Sequence, residues 1–249
     1  QFPFNILIDT DKLVDNLDVK IYGTKKILNK NTETILNALI ILLDIDKNKI
    51  TNNFIQSKLL DLIELIKLIP YSENKIQTYL SDCRCIPLPD NKIDFVLTSP
   101  PYINVFNYHQ NYRKSAEILG WDLLKIAKSE IGANRANRSN RFYTVVQYCL
   151  DMAEAMAEIS RVSKKNSRIV FVVGYESKVL EVPFYNADII EKIAVKSGMY
   201  AKVLRQKREF KNKFGKIIRE DLINLLNIKS ECEQSYVVNI AREVALEVL

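Results

Sequence analysis

Apolar and polar positions follow two rhythms along this chain, and the change falls near residue 77. Before it, apolar residues recur every three or four positions. Asn31-Thr32 is placed to cap a helix that carries Ile35, Leu36, Leu39, Ile40 and Leu43 on one face. A second helix is expected from about Asn53 to Leu68, with Ile55, Leu59, Leu62, Ile63 and Ile66 on one face and Pro70 as its stop. Together they read as a helical hairpin. Ahead of them, Phe4 to Asp9 reads as a short strand ending in an acid.

From Gln77 onward, short apolar runs alternate with helical patterns, the signature of a mainly parallel sheet. Strands are expected at Gln77–Ser81, Ile93–Thr98, Arg168–Val173, Tyr200–Arg208 and, last, Tyr236–Ile240. A long helix capped by Ser139 or Asn140 runs to about Ser163, with Phe142, Val145, Val146, Cys149, Met152, Met156 and Ile159 facing a core. Another spans Asn186–Lys196, closed by Gly198, and Ala241–Leu249 is expected as a short terminal helix. The polar, aromatic stretch from Ile103 to Asn140, with Phe106, Tyr108, Tyr112 and Trp121, reads as a lid or recognition insert. The domain division expected is 1–75, helical, and 76–249, an α/β core with inserts at about 103–140 and 205–232.

One stretch organises the rest: Asp94-Phe95-Val96-Leu97-Thr98-Ser99-Pro100-Pro101-Tyr102. A buried strand is stopped by two prolines, which lack a ladder N–H and fix φ near −65°. The result is a stiff, extended turn at the carboxyl end of a strand, where open α/β sheets place their ligands. The plain alternative is a Pro-Pro turn that merely ends a core strand.

Ser99-Pro100-Pro101-Tyr102 resembles the catalytic tetrapeptide of the S-adenosylmethionine-dependent DNA amino-methyltransferases. Upstream, Tyr79 to Leu88 is similar to the strand and acidic turn that precede that tetrapeptide, and Tyr102 to Arg113 to the segment that follows it in the Ser-Pro-Pro-Tyr subgroup. The resemblance runs from roughly Gln77 to Ile240. It implies an α/β, Rossmann-like methyltransferase core, here its later strands with a final antiparallel strand, carrying a helical N-terminal appendage. It also implies methyl transfer from S-adenosylmethionine to an exocyclic amino group of double-stranded DNA, as in restriction-modification systems. Serine at the first motif position leans towards cytosine N4, with adenine N6 as the alternative.

The chemistry implied is specific. An exocyclic amino group is a poor nucleophile because its lone pair is delocalised into the ring, and two acceptors on its hydrogens draw the nitrogen towards tetrahedral geometry. Ser99 and the Pro100 carbonyl, stiffened by Pro101, are the expected acceptors, and Tyr102 is expected to stack on a base taken out of the duplex. By the same resemblance Asp82 and Cys83 in the acidic turn, with Thr98 and Ser99, are the expected cofactor-binding residues. A carbon-5 cytosine mechanism would need a cysteine nucleophile beside a proline in a loop, and none of the four cysteines is so placed.

One departure from the family matters. Its members hold the cofactor with a Gly-rich loop, because only glycine lets the backbone approach so closely. This chain has six glycines and no glycine pair. The expectation is a fragment of a longer polypeptide, half of a split enzyme whose second polypeptide carries the loop, or a degenerate copy that only binds DNA. RNA or a protein amide as methyl acceptor shares the amino-group chemistry.

Charge narrows the partner. Lys plus Arg exceed Asp plus Glu by 36 to 30, so placement matters more than total. Arg135, Arg138 and Arg141 are clustered, and Lys202 to Arg219 holds eight basic residues against the single acid Glu209. Arg113, Arg135, Arg138, Arg141, Arg205, Lys207, Arg208, Lys211 and Lys213 are therefore the expected nucleic-acid contacts. A solvated basic strand pair is the competing reading. No apolar run reaches the roughly 18 residues of a membrane span, nothing at the start reads as a signal peptide, and a reduced, cytoplasmic setting is expected. With His109 as the only histidine and unpaired cysteines, no metal site is expected.

Overall fold

A computed structural model describes residues 30–45, 47–103, 112–133, 140–212, 214–228 and 233–249. They form two units. The first holds the described residues up to Gln77 and those from Tyr112 to Ala127, and the second holds the rest.

In the first unit, α1 (Lys30–Leu42) and α2 (Asn52–Leu68) form the expected hairpin. Leu39, Leu43, Ile55 and Leu62 are buried between them. Thr51 caps α2, its hydroxyl accepting from the Phe54 N–H at 3.3 Å, and the chain turns extended at Ile69, ahead of Pro70. Asn31 and Thr32 lie inside α1 and are not its cap. Part of the stretch expected as an insert folds here too. In α3 (Arg113–Ile118), Ile118 with Leu119 packs on Ile40, and the Ser115 hydroxyl donates to the Ile40 carbonyl at 3.0 Å. A further short helix, α4, spans Leu123–Ser129.

The second unit is built on a four-stranded sheet. Its strands are β1 (Ile93–Thr98), β2 (Ser163–Gly174), β5 (Tyr200–Lys211) and β6 (Ile217–Asn227), in the order β1-β2-β6-β5. β1 and β2 are parallel, and β6 lies antiparallel to both β2 and β5. A small hairpin, β3 (Ser177–Val179) with β4 (Val182–Phe184), follows β2. The helices are α5 (Tyr143–Val162), α6 (Asn186–Lys196) and α7 (Gln234–Val248). The class is the expected one, α/β, with one parallel pair, β1–β2, and an antiparallel last strand, β6.

One sheet face makes the core. Val96, Ile169, Phe171, Val173, Ile223 and Leu225 pack against Val145, Cys149, Met152 and Met156 of α5, Ile189, Ile190 and Ile193 of α6, and Val237, Ala241 and Val244 of α7. Burying an aliphatic or aromatic side chain is worth about 1.5–3 kcal/mol, so this face dominates the unit's stability. Asn227, fully buried on β6, ties that strand's end to α5 and β2 by donating to the carbonyls of Ser160, Ser163 and Lys164.

Three expectations are corrected. Gln77–Ser81 is not a strand. It runs exposed beside no ladder, and an alternating pattern without a neighbouring strand leaves its N–H and C=O groups to water. Tyr236–Ile240 is helix, not the last strand. Its β-branched residues suggested extension, but Val237, Ile240, Ala241, Val244 and Ala245 recur at helical spacing and are all buried, so burial of that stripe decides. The last strand is β6, from the segment expected as a basic insert. Its inner residues Asp221, Ile223, Leu225 and Asn227 alternate strictly with half-buried ones.

Among the described residues no helix is long and apolar enough to cross a membrane, and no cluster of His, Cys, Asp and Glu is arranged to hold a metal ion.

Candidate functional site

β1 ends at Thr98, which pairs with Phe171, and the Ser99-Pro100-Pro101-Tyr102 turn emerges from its carboxyl end. Pro100 is buried and Ile103 fully so, which anchors both ends of the turn while the Ser99 side chain stays exposed. Between these anchors the half-buried Tyr102 ring lies against Gly174, the last residue of β2. A Cβ at Gly174 would fall 2.8 Å from Tyr102 Cε2 and 3.2 Å from its Cδ2, so the glycine makes room for the ring. Tyr148 of α5 is fully buried and, among the described residues, its hydroxyl has no hydrogen-bond partner. Burial pushes that phenol's pKa up, with Cys149 and Tyr102 adding to the effect.

The backbone around Gly174 is held on both sides. Asn186, fully buried at the start of α6, donates from Nδ2 to the Gly174 carbonyl at 2.9 Å, and the Ser177 hydroxyl donates to Asn186 Oδ1 at 3.1 Å. The Tyr175 N–H donates to the Arg219 carbonyl at 3.0 Å, and the Tyr175 and Tyr185 rings meet edge to face at 5.3 Å. None of Gly174, Ser177, Tyr185 or Asn186 was singled out for the site by sequence. The one readable signal was a glycine ending the apolar run Ile169–Val173, which in a strand marks a close approach.

The acidic turn is braced rather than open. Asp82 Oδ1 accepts from the Arg84 N–H and Nε at 2.9 and 3.0 Å, and Oδ2 accepts from Nη2 at 2.7 Å. That hydrogen bonding to Arg84 holds the Asp82 carboxyl below its ordinary range. Arg84 also donates to the Ser129 carbonyl and to Asp151 Oδ1 at 2.7 Å. Asp151 on α5 is buried yet fully served, because Gly132 N and Gln147 Nε2 donate to it as well. A second brace follows. Arg161 donates to Asp90, Glu158 and the carbonyls of Ile86 and Leu88, fastening the lead-in of β1 to α5. Arg161 in turn keeps the Glu158 carboxyl below its usual range.

The other expected residues divide. Cys83 is exposed beside Asp82, and half-buried Thr98 and exposed Ser99 are adjacent at the β1 end. Arg113 lies in the first unit and pairs with Glu117 at 2.8 Å, and Arg141 is exposed just ahead of α5. Arg135, Arg138, His109 and Lys213 lie outside the described residues. Arg205 is bidentate to buried Asp221 and also reaches Asp188, and Arg208 pairs with Glu220. Among the described residues, Lys207 and Lys211 form no ion pair.

No protein-family model matches the chain, and no curated protein matches it significantly. Among solved structures, it is similar to a SAM-dependent methyltransferase from Methanosarcina mazei at 10% identity and a TM-score of 0.36, covering 70% of this chain and 79% of that one. It is also similar to a protein from Thermus thermophilus provisionally named a DNA modification methylase, at 14% identity and a TM-score of 0.33, covering 62% of this chain and 54% of that one. Both superpositions are partial, and the functional reading rests on the chain's own residues.

Proposed function

We propose that this chain is the base-binding and amino-activating part of a DNA amino-methyltransferase, with cytosine N4 favoured and adenine N6 the alternative. The observation that carries the reading is the Ser99–Tyr102 turn at the carboxyl end of β1, with the Tyr102 ring seated on Gly174 at the end of the neighbouring parallel strand. In this reading the Ser99 hydroxyl and the Pro100 carbonyl accept from the two hydrogens of the exocyclic amino group. The nitrogen is thereby drawn out of conjugation and its lone pair exposed. Tyr102 stacks on the extruded base and offsets the few kcal/mol that unstacking costs. Double-stranded DNA of a restriction-modification system is the proposed substrate.

S-adenosylmethionine is the proposed methyl donor, and the described residues do not form its whole cradle. Both Asp82 oxygens are taken up by Arg84, the chain has no glycine pair, and the space above Gly174 belongs to Tyr102. A Gly-rich loop on further polypeptide, placed beside β1, would complete the site. A second reading, a non-catalytic DNA-binding remnant, is favoured by one observation, the closed Asp82–Arg84 pair.

Single-turnover transfer of a labelled methyl group, with the loop-bearing polypeptide supplied, tests the proposal. Ser99→Ala is expected to slow transfer by about 10²–10³-fold, as for loss of one preorganised hydrogen-bonding group, with DNA binding nearly unchanged. Ser99→Asp retains part of the rate, since a carboxylate also accepts. No methylation by the completed wild type would leave the remnant reading, and transfer to RNA or protein alone would move the substrate class.

A further inference from the structure

We infer that Gly174, held by Asn186 and Ser177, is a positioning residue that sets the plane in which Tyr102 meets the target base. The inference rests on the base-binding reading of Tyr102, and its geometry is independent of it. Glycine inside a strand costs stability, so a glycine here needs a reason. Backbone freedom is not that reason, because Gly174 is not among the glycines with positive φ, which are Gly120, Gly132, Gly198 and Gly215. Space is. Three ring atoms of Tyr102 lie 2.8–3.3 Å from where a Cβ would stand, nearer than side-chain atoms pack.

An aromatic ring is a useful stacking surface only if its plane is fixed. Pro101 limits the backbone before Tyr102, and the fully buried Ile103 fixes it after. The ring itself rests on bare backbone at Gly174. That backbone cannot yield, since its carbonyl is bonded to Asn186, Asn186 is bonded to Ser177, and the next N–H is bonded to Arg219. Asn186 and Ser177 are both buried, so this tether exchanges with water poorly. The arrangement is a rigid floor under the Tyr102 ring, which is half-buried and so keeps part of its surface for a planar ligand.

The test uses the 249-residue chain and a single-stranded oligonucleotide carrying the fluorescent base pyrrolocytosine, which needs no duplex opening. Stacking on an aromatic side chain is worth about 1–3 kcal/mol per base, or roughly 5- to 150-fold in affinity. Tyr102→Ala should weaken quenching and binding within that range. Gly174→Ala should weaken them about 10-fold and shift the Tyr102 ring resonances in the NMR spectrum. In the Tyr102→Ala background, Gly174→Ala should change neither binding nor melting temperature, because the added methyl meets no ring. Equal losses in both backgrounds would show that the glycine serves the strand and not the ring, and would overturn the inference. Should Gly174→Ala fail to fold, rescue of folding by Tyr102→Ala supports the inference and absence of rescue overturns it. Unmoved ring resonances overturn it as well. If Tyr102→Ala alone leaves quenching intact, the base-binding reading falls, while the resonances and the folding rescue still decide the positioning claim.

Discussion

Among the described residues, β1 and β5 are the two edge strands of one sheet, and they are finished in opposite ways. β5 presents Lys202, Arg205, Lys207, Arg208 and Lys211 along its length, and three of these are tied to carboxylates on α6 and β6. Charge along an edge is how natural sheets refuse another strand. β1 has no such device between Phe95 and Thr98. Val96 enters the core, while Phe95 and Leu97 project from the opposite face and remain 54% and 64% exposed. Two large apolar side chains side by side on one face of an edge strand make a surface suited to being covered. One edge is therefore a terminus of the sheet, and the other has the chemistry of an interior strand.

The largest effect expected is at that open edge. If the loop-bearing polypeptide docks along β1, as proposed, Phe95→Lys with Leu97→Lys should weaken its association by about 3–6 kcal/mol, from two apolar side chains no longer buried. Sedimentation or calorimetry with the polypeptide encoded beside this one gives the number. The same pair of lysines should make the isolated chain less prone to self-association. Association unchanged by both substitutions would break the comparison, leaving β1 as an ordinary exposed edge.

How much of this was readable follows from how local each signal is. α2, β1, the apolar face of α5 and the Gly198 stop of α6 were legible because a period lies within the element, or a proline or glycine just past its end. β6 was not, since three charged residues, Arg219, Glu220 and Asp221, interrupt Ile217 to Asn227, and only pairing with β2 and β5 explains them. The strand expected at Gln77–Ser81 failed for the converse reason: its pattern was local, and its neighbour was missing. At the site, the Ser99–Tyr102 turn was legible from its two prolines. The floor under Tyr102 was not, because Gly174 lies 72 positions further along the chain, and no periodicity links them. The Arg84–Asp151 pair, 67 positions apart, was hidden likewise.

The next effect sharpens the β5 side. Arg205 holds Asp221, which has no exposed surface, through two hydrogen bonds of 3.1 and 3.0 Å. Arg205→Ala leaves that carboxylate buried without its cation, a change that costs about 3–5 kcal/mol. That is a large share of the roughly 5–15 kcal/mol typical of a folded domain. Arg205→Lys should recover only part, because an ammonium cannot reproduce the planar fork. Urea unfolding midpoints give both values. A loss below about 1 kcal/mol for Arg205→Ala would mean that this edge is not stabilised by its ion pairs, and the contrast with β1 would then rest on sequence alone.

The smallest effect on stability concerns the remaining cations of the β5–β6 hairpin, and there it is the salt dependence that discriminates. Lys207, Lys211 and Lys216 are exposed and, among the described residues, form no ion pair, so replacing them with alanine should move the unfolding free energy by no more than about 0.5 kcal/mol. Arg205 and Lys202 are already neutralised by Asp221, Asp188 and Glu191, and a cation held by a carboxylate releases no counterion on meeting a phosphate. If this edge lies along DNA, the uncommitted lysines carry the contact. Each should then contribute about 0.9 to the slope of log affinity against log salt on duplex DNA, and the triple variant should flatten the slope by close to three such steps. Lys202→Ala should leave the slope alone. A slope unchanged in the triple variant would return the hairpin to solvated surface and place the DNA-facing side of the molecule elsewhere, while a slope changed equally by Lys202→Ala would show that the ion pairs on β5 open when DNA arrives.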